Sequence, residues 1–253
     1  MSEAFLQYLP GLPAFTLLAA GAFLGGIMRG FSGFGGGLLM APVYALIMPP
    51  SDVVVVILVL NIATTYPMLK GALRDVDWPM VWRVYLPSLI GLPIGLALLT
   101  MIDPDMMRRT IAGMVSLLAV CMLAGWAYEG RRGRIQDAVA GVASGFMTAI
   151  GGIGGPPLVL YLLSDRSIRP TVFRAFCLAY FALANVGTLT TLSLMGAVQM
   201  PVLLLCAALL PIYVVANTVG SILHRRAAAH QEALVRRLCL LFLLAIGILM
   251  LLI

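Results

Sequence analysis

Charge is what this sequence has least of, and acids are missing from the middle of every apolar stretch. Only 10% of the 253 residues are charged and 62% are hydrophobic, against about 25% charged in soluble domains. Mean hydropathy is +1.05, so a soluble globule is excluded. The ten acids (Glu3, Asp52, Asp75, Asp77, Asp103, Asp105, Glu129, Asp137, Asp165 and Glu232) fall in tails, loops or segment edges, and none is expected to be buried. The two histidines, His224 and His230, share one basic loop. A cation or metal carrier would want carboxylate, imidazole or thiolate ligands in the bilayer. A membrane hydrolase would want a nucleophile beside a base. Neither set is present, so no catalytic residue, metal or cofactor is expected, and the bias is toward an anionic substrate.

Cysteine is scarce too. Cys121, Cys177, Cys206 and Cys239 lie inside apolar runs without CxxC spacing and read as small core residues. Met1 to Leu12 carries Glu3 but no Lys or Arg, so the basic region of a cleaved signal is missing and the first helix is expected to be retained. The net charge of +6 is spread loop by loop without aromatic interleaving, which argues against a nucleic-acid surface.

What is present is a set of continuous apolar runs, not the alternation of a membrane barrel. They fall at about 12–48, 53–69, 79–101, 107–128, 135–163, 171–195, 200–223 and 237–253. The spacing predicts an all-α polytopic membrane protein of about 8 to 10 transmembrane or half-membrane helices. Runs 12–48 and 135–163 are too long for one span and are broken by glycine, so each is expected to be a helical hairpin, fully spanning or re-entrant. Both contain Gly-x-x-x-Gly-Phe: Gly26, Gly30, Phe31 and Gly141, Gly145, Phe146.

If both hairpins return to their starting side, thirteen of the sixteen Lys and Arg share one face. Arg108 and Arg109 then lie opposite and Arg29 lies within the membrane. The positive-inside rule favours that arrangement, with both termini on the non-cytoplasmic side. Residues 1–128 and 129–253 then form two inverted-topology repeats, each a hairpin plus three helices. Inverted repeats with broken helices are a mark of secondary transporters, whose substrate sits where the breaks meet.

Arg29 is the deepest charge in the sequence, and a charge there costs about 2.5 to 3.5 kcal/mol on insertion scales. It adjoins Ser32, Gly33, Gly35, Gly36 and Gly37; the second break holds Thr148, Gly151, Gly152, Gly154 and Gly155. Glycine breaks expose backbone N–H groups at helix N-termini, which attract anions. Pro156 and Pro157 fit the opening turn of the helix that follows the second break. Asn61, Thr65 and Asn185 are the polar residues of the next helices chosen to complete a substrate site; Ser144, Thr64, Tyr66, Thr188, Thr190 and Thr191 are further polar neighbours. The alternative for these glycines and hydroxyls is close helix packing and interhelical hydrogen bonding, and for Arg29 it is snorkelling.

The sequence resembles the TauE/SafE family of sulfite exporters, also called the toluene sulfonate uptake permease family. The likeness lies in Gly26-x-x-x-Gly30-x-x-Gly33-x-Gly35-Gly36-Gly37 with Pro42, in Val76-Asp77-Trp78, and in Gly152-Ile153-Gly154-Gly155-Pro156-Pro157-Leu158-Val159-Leu160-Tyr161. The resemblance implies a bacterial inner-membrane carrier of sulfite, an organosulfonate or a related sulfur-containing or carboxylate anion, often an exporter. It assigns no role to Arg29. The expected partners are the bilayer and a small anion, with a homodimer left open. An anion channel and a non-transporting scaffold or sensor subunit are the alternatives.

Overall fold

The computed structural model describes residues 11–124, 133–162 and 168–226. The expected span 237–253 lies outside the described residues, as do Glu3, Glu129, Arg131, Arg132, Asp165, Arg166, His230, Glu232, Arg236, Arg237 and Cys239. The described chain is helical throughout, with nine α-helices. They are α1 Leu12–Ser32, α2 Gly36–Ala45, α3 Pro50–Ala72, α4 Trp78–Met101, α5 Pro104–Leu123, α6 Arg134–Gly151, α7 Gly155–Leu162, α8 Pro170–Leu194 and α9 Met200–Arg226. Five of them, α1, α3, α4, α8 and α9, are long and apolar enough to cross a membrane. Leu86, Ile90, Ile94, Leu117 and Val215 lie exposed along helices, as lipid-facing residues would.

Proline and glycine set the boundaries. Pro13, Pro50, Pro79 and Pro170 stand in the opening turns of α1, α3, α4 and α8, where a missing N–H costs nothing. Asp77 caps α4 by accepting from Met80 N at 3.1 Å. Gly33 and Gly152 end α1 and α6 with φ of +83° and +66°, a left-handed cap that side chains resist.

Both glycine-broken runs are hairpins. α2 folds back along α1, with the Tyr44 hydroxyl donating to Leu18 O at 2.8 Å. α7 folds back along α6, with the Tyr161 hydroxyl donating to Asp137 Oδ1 at 2.6 Å. At about 1.5 Å per residue, α2 reaches roughly 15 Å, half of a hydrocarbon core of about 30 Å and the length of a half-membrane helix. α7 runs to Leu162, the last described residue before the gap.

Two parallel helix pairs frame the hairpins. α1 lies on α9, where a Cβ on Gly26 would meet Ala216 Cβ at 2.8 Å and one on Gly30 would meet the Asn217 carbonyl. α4 lies on α6 in the same fashion: Gly141 abuts Val84, Gly145 abuts Ser88 and Gly91 abuts Val142, each against a backbone carbonyl. The close packing expected as an alternative for Gly26, Gly30, Gly141 and Gly145 is therefore what these four do.

The basic segments gather at one end of the bundle. Arg83 near the start of α4 lies 3.9 Å from Asp137 near the start of α6. The end of α3, the start of α8 and the end of α9 share the walls of one cavity. Arg108 and Arg109 sit in α5, beyond the far end of α4. Trp78 and Trp82 are exposed near the basic end, as interfacial aromatics are.

One expectation fails. Asp137 is buried, not a surface edge residue. The Tyr161 hydroxyl and the Arg83 guanidinium make its burial tolerable, and neither partner is near it in sequence.

Candidate functional site

The two glycine breaks touch. A Cβ on Gly37 would run into the Gly152 carbonyl, and one on Gly155 would lie 2.9 Å from the Phe34 ring. Where they meet is a small cavity lined by seven residues singled out from the sequence, Arg29, Gly35, Gly37, Asn61, Gly152, Gly155 and Asn185, together with Phe34, Leu38, Ile153 and Phe181. Asn61 lies eleven residues from either end of α3 (61 − 50 and 72 − 61), so the cavity is at mid-height of the bundle.

Arg29 dominates it. Its side chain is 2% exposed, and Nη2 donates to Thr65 Oγ1 at 2.6 Å and to Asn61 O at 3.3 Å. Nε has no hydrogen-bond partner. No carboxylate of the described residues pairs with this guanidinium. Its ionisable neighbours are Tyr213 and Cys177, groups that are ordinarily neutral at pH 7. A buried cation without a counter-ion is costly, and the compensation missing here is one negative charge.

Asn61 and Asn185 complete the polar wall. The Tyr213 hydroxyl donates to Asn61 Oδ1 at 2.7 Å and so fixes that amide. Asn185 is 3% exposed and its Nδ2 is unpartnered. Two donors without acceptors, Arg29 Nε and Asn185 Nδ2, therefore belong to residues lining one cavity. A site for an oxyanion needs donors of this kind and no competing acid.

The remaining expected site residues sit behind this wall. Thr65 positions Arg29. Gly36 leaves room for Tyr213, whose hydroxyl would be 2.5 Å from a Cβ there. Ser32 Oγ lies 2.8 Å from Met28 O and 2.6 Å from Phe34 O, tying the first break to the end of α1. Ser144 Oγ donates to Gly154 O at 2.6 Å, and Thr148 packs against Gly154, pinning the second break to α6. Gly33 faces the Arg174 side chain, and Gly151 faces Ile153 and Ile111. Thr64, Thr188 and Thr191 bond carbonyls in their own helices, the neutral outcome for a hydroxyl in an apolar helix.

Against this geometry the comparisons are informative. The family model of the sulfite exporter TauE/SafE matches residues 17–250. The chain belongs to the sulfite exporter TauE/SafE family. It is thus a multi-pass membrane protein of a transporter family, and the likeness read from its glycine motifs holds over nearly the whole chain. No curated protein and no solved structure matches it.

Tyr213, Phe34 and Phe181 were not legible as site residues, being aromatics in apolar runs.

Proposed function

We propose that this TauE/SafE protein is a secondary carrier that binds one small oxyanion, sulfite or an organosulfonate before a carboxylate, at the junction of its two glycine breaks. The observation that carries the reading is Arg29, a buried guanidinium with no carboxylate partner among the described residues, lining a cavity with the unpartnered Asn185 Nδ2. Arg29 and Asn185 hold the anion; the N-termini of α2 and α7 add their partial positive charge. Phe34 and Phe181 form an apolar wall beside it.

The volume supports alternating access. The cavity measures about 10 Å³, about the room that one water centre needs. A sulfite ion fits only after the hairpins part, which is what the occluded state of a carrier requires. Residues 1–128 and 129–253 act as inverted repeats. In support of this, each opens with a glycine-broken hairpin, and the end of α1 and the start of α6 lie at the same, basic end. That end is the cytoplasmic one of a bacterial inner membrane by the positive-inside rule, and export carries the anion from there.

Flux of radiolabelled sulfite and toluenesulfonate in proteoliposomes tests this. Wild type should show saturable counterflow, and Arg29→Gln, reconstituted to the same density, should lose it by at least about tenfold. Saturable flux unchanged by Arg29→Gln would move the anion site elsewhere.

A further inference from the structure

A second cavity opens at the basic end, separated from the central one by the last turn of α1. It measures about 670 Å³, and its walls include Asp75, Thr171, Arg174, Asn217, Ser221 and His224. The α1 turn faces both ways. Arg29 reaches inward to Thr65, whereas the next residue, Gly30, turns its carbonyl toward α8 and α9, accepting from Arg174 Nη2 at 3.0 Å and Ser221 Oγ at 3.2 Å. Phe31 meets His224 edge to face with ring centres 5.7 Å apart.

We infer that this vestibule is a second anion site, a waiting position from which an oxyanion passes to Arg29. Arg174 is its principal ligand. Asn217 is the second: it is 5% exposed, its Nδ2 lies against Met68 Sδ at 3.3 Å, and its Oδ1 has no partner. Which amide atom faces which way is an assignment, and turning the group presents an N–H pair to an anion. A thioether is a weak acceptor, so the turn loses little. Asp75 at the rim is the one acid among the described residues of the walls and keeps the site weak enough to release.

The arrangement also links the two positions. A guanidinium carries five N–H donors, so Arg174 can keep Nη2 on Gly30 O while it offers others to an anion. One side chain then touches both the vestibule and the α1 turn that closes the central cavity, with Ser221 beside it on the same carbonyl.

The inference rests on the carrier reading, and equilibrium binding separates the two. Purified full-length protein in detergent should bind two [35S]sulfite ions per chain. Arg174→Gln should leave one and slow flux mainly through a raised KM, because the central site still turns over at high concentration. Arg29→Gln should also leave one but lose flux altogether. Thr171→Glu adds a negative charge at an exposed position on the same wall, where folding is not at stake, and should weaken the vestibule about tenfold with Arg174 intact; Arg174→Lys should retain two ions. A wild-type stoichiometry of one, untouched by Arg174→Gln and Thr171→Glu, overturns the vestibule and leaves the central site standing. Flux and stoichiometry insensitive to Arg29→Gln but sensitive to Arg174→Gln overturns the central site instead. No sulfite bound by the wild type overturns both.

Discussion

At the scale of the residue, glycine and arginine are used for what other residues would do by collision. Gly152 is the sharpest case. Its φ of +66° disfavours any side chain, and a Cβ there would also lie 2.7 Å from Ile57 Cγ2. Gly152→Ala should therefore lose about 1 kcal/mol to the backbone and more to the contact. Combining it with Ile57→Ala should restore part of the second loss and none of the first. Thermal melts of the two single variants and the double variant check this, and strictly additive losses would show that Ile57 is not the obstacle. Gly113, in α5, has nothing within 4 Å of an added Cβ. Gly113→Ala should be neutral or stabilising by up to about 1 kcal/mol, whereas Gly145→Ala should disrupt the α4–α6 pair through the Ser88 carbonyl. The four-residue spacing offered close packing as the alternative reading of Gly145, and the structure shows that contact. Sequence alone could not mark Tyr213, since nothing local says that a tyrosine 152 residues away bonds Asn61.

At the scale of the element, the breaks were legible because a run of 37 residues cannot cross once, and glycine tells where it turns (12 to 48). The hydrogen bond from each short helix back to its partner was not legible, because it is made by one hydroxyl distant in sequence from its acceptor. Tyr44 bonds a neutral carbonyl, Leu18 O; Tyr161 bonds the Asp137 carboxylate. Hydrogen bonds to charged groups are about twice as strong. Tyr44→Phe should cost about 1 kcal/mol and Tyr161→Phe about 2 to 3, since the latter takes a hydrogen bond from a buried carboxylate. Asp137→Asn in the Tyr161→Phe background should recover part of the stability by lowering the cost of burying that group without the phenol. Denaturation of the three variants in one detergent would order them. The burial of Asp137 escaped the sequence for the same reason: an acid three residues into a helix looks like a dipole-favoured surface residue until a tyrosine from the returning helix covers it.

At the scale of the molecule, the two parallel pairs, α1 with α9 and α4 with α6, each join an early helix to a late one, so the parts of the chain are interlocked rather than set side by side. The hairpin tips meet between the pairs. On the carrier reading, opening toward the basic end would part α3 from α9 where Met68 and Asn217 touch at 3.3 Å, since both line the vestibule. A bridge across that point should hold the carrier shut on one side. In a Met68→Cys, Asn217→Cys variant treated with a short bifunctional thiol reagent, toluenesulfonate counterflow should stop and return on reduction. Toluenesulfonate is the ion to follow, because sulfite itself attacks disulfides. Met68→Cys alone with the same reagent should keep its flux, and the untreated double variant sets the reference rate. If the bridged protein transported at the untreated rate, the helices would not part at this point, and the path to Arg29 would have to run between α4 and α8 instead.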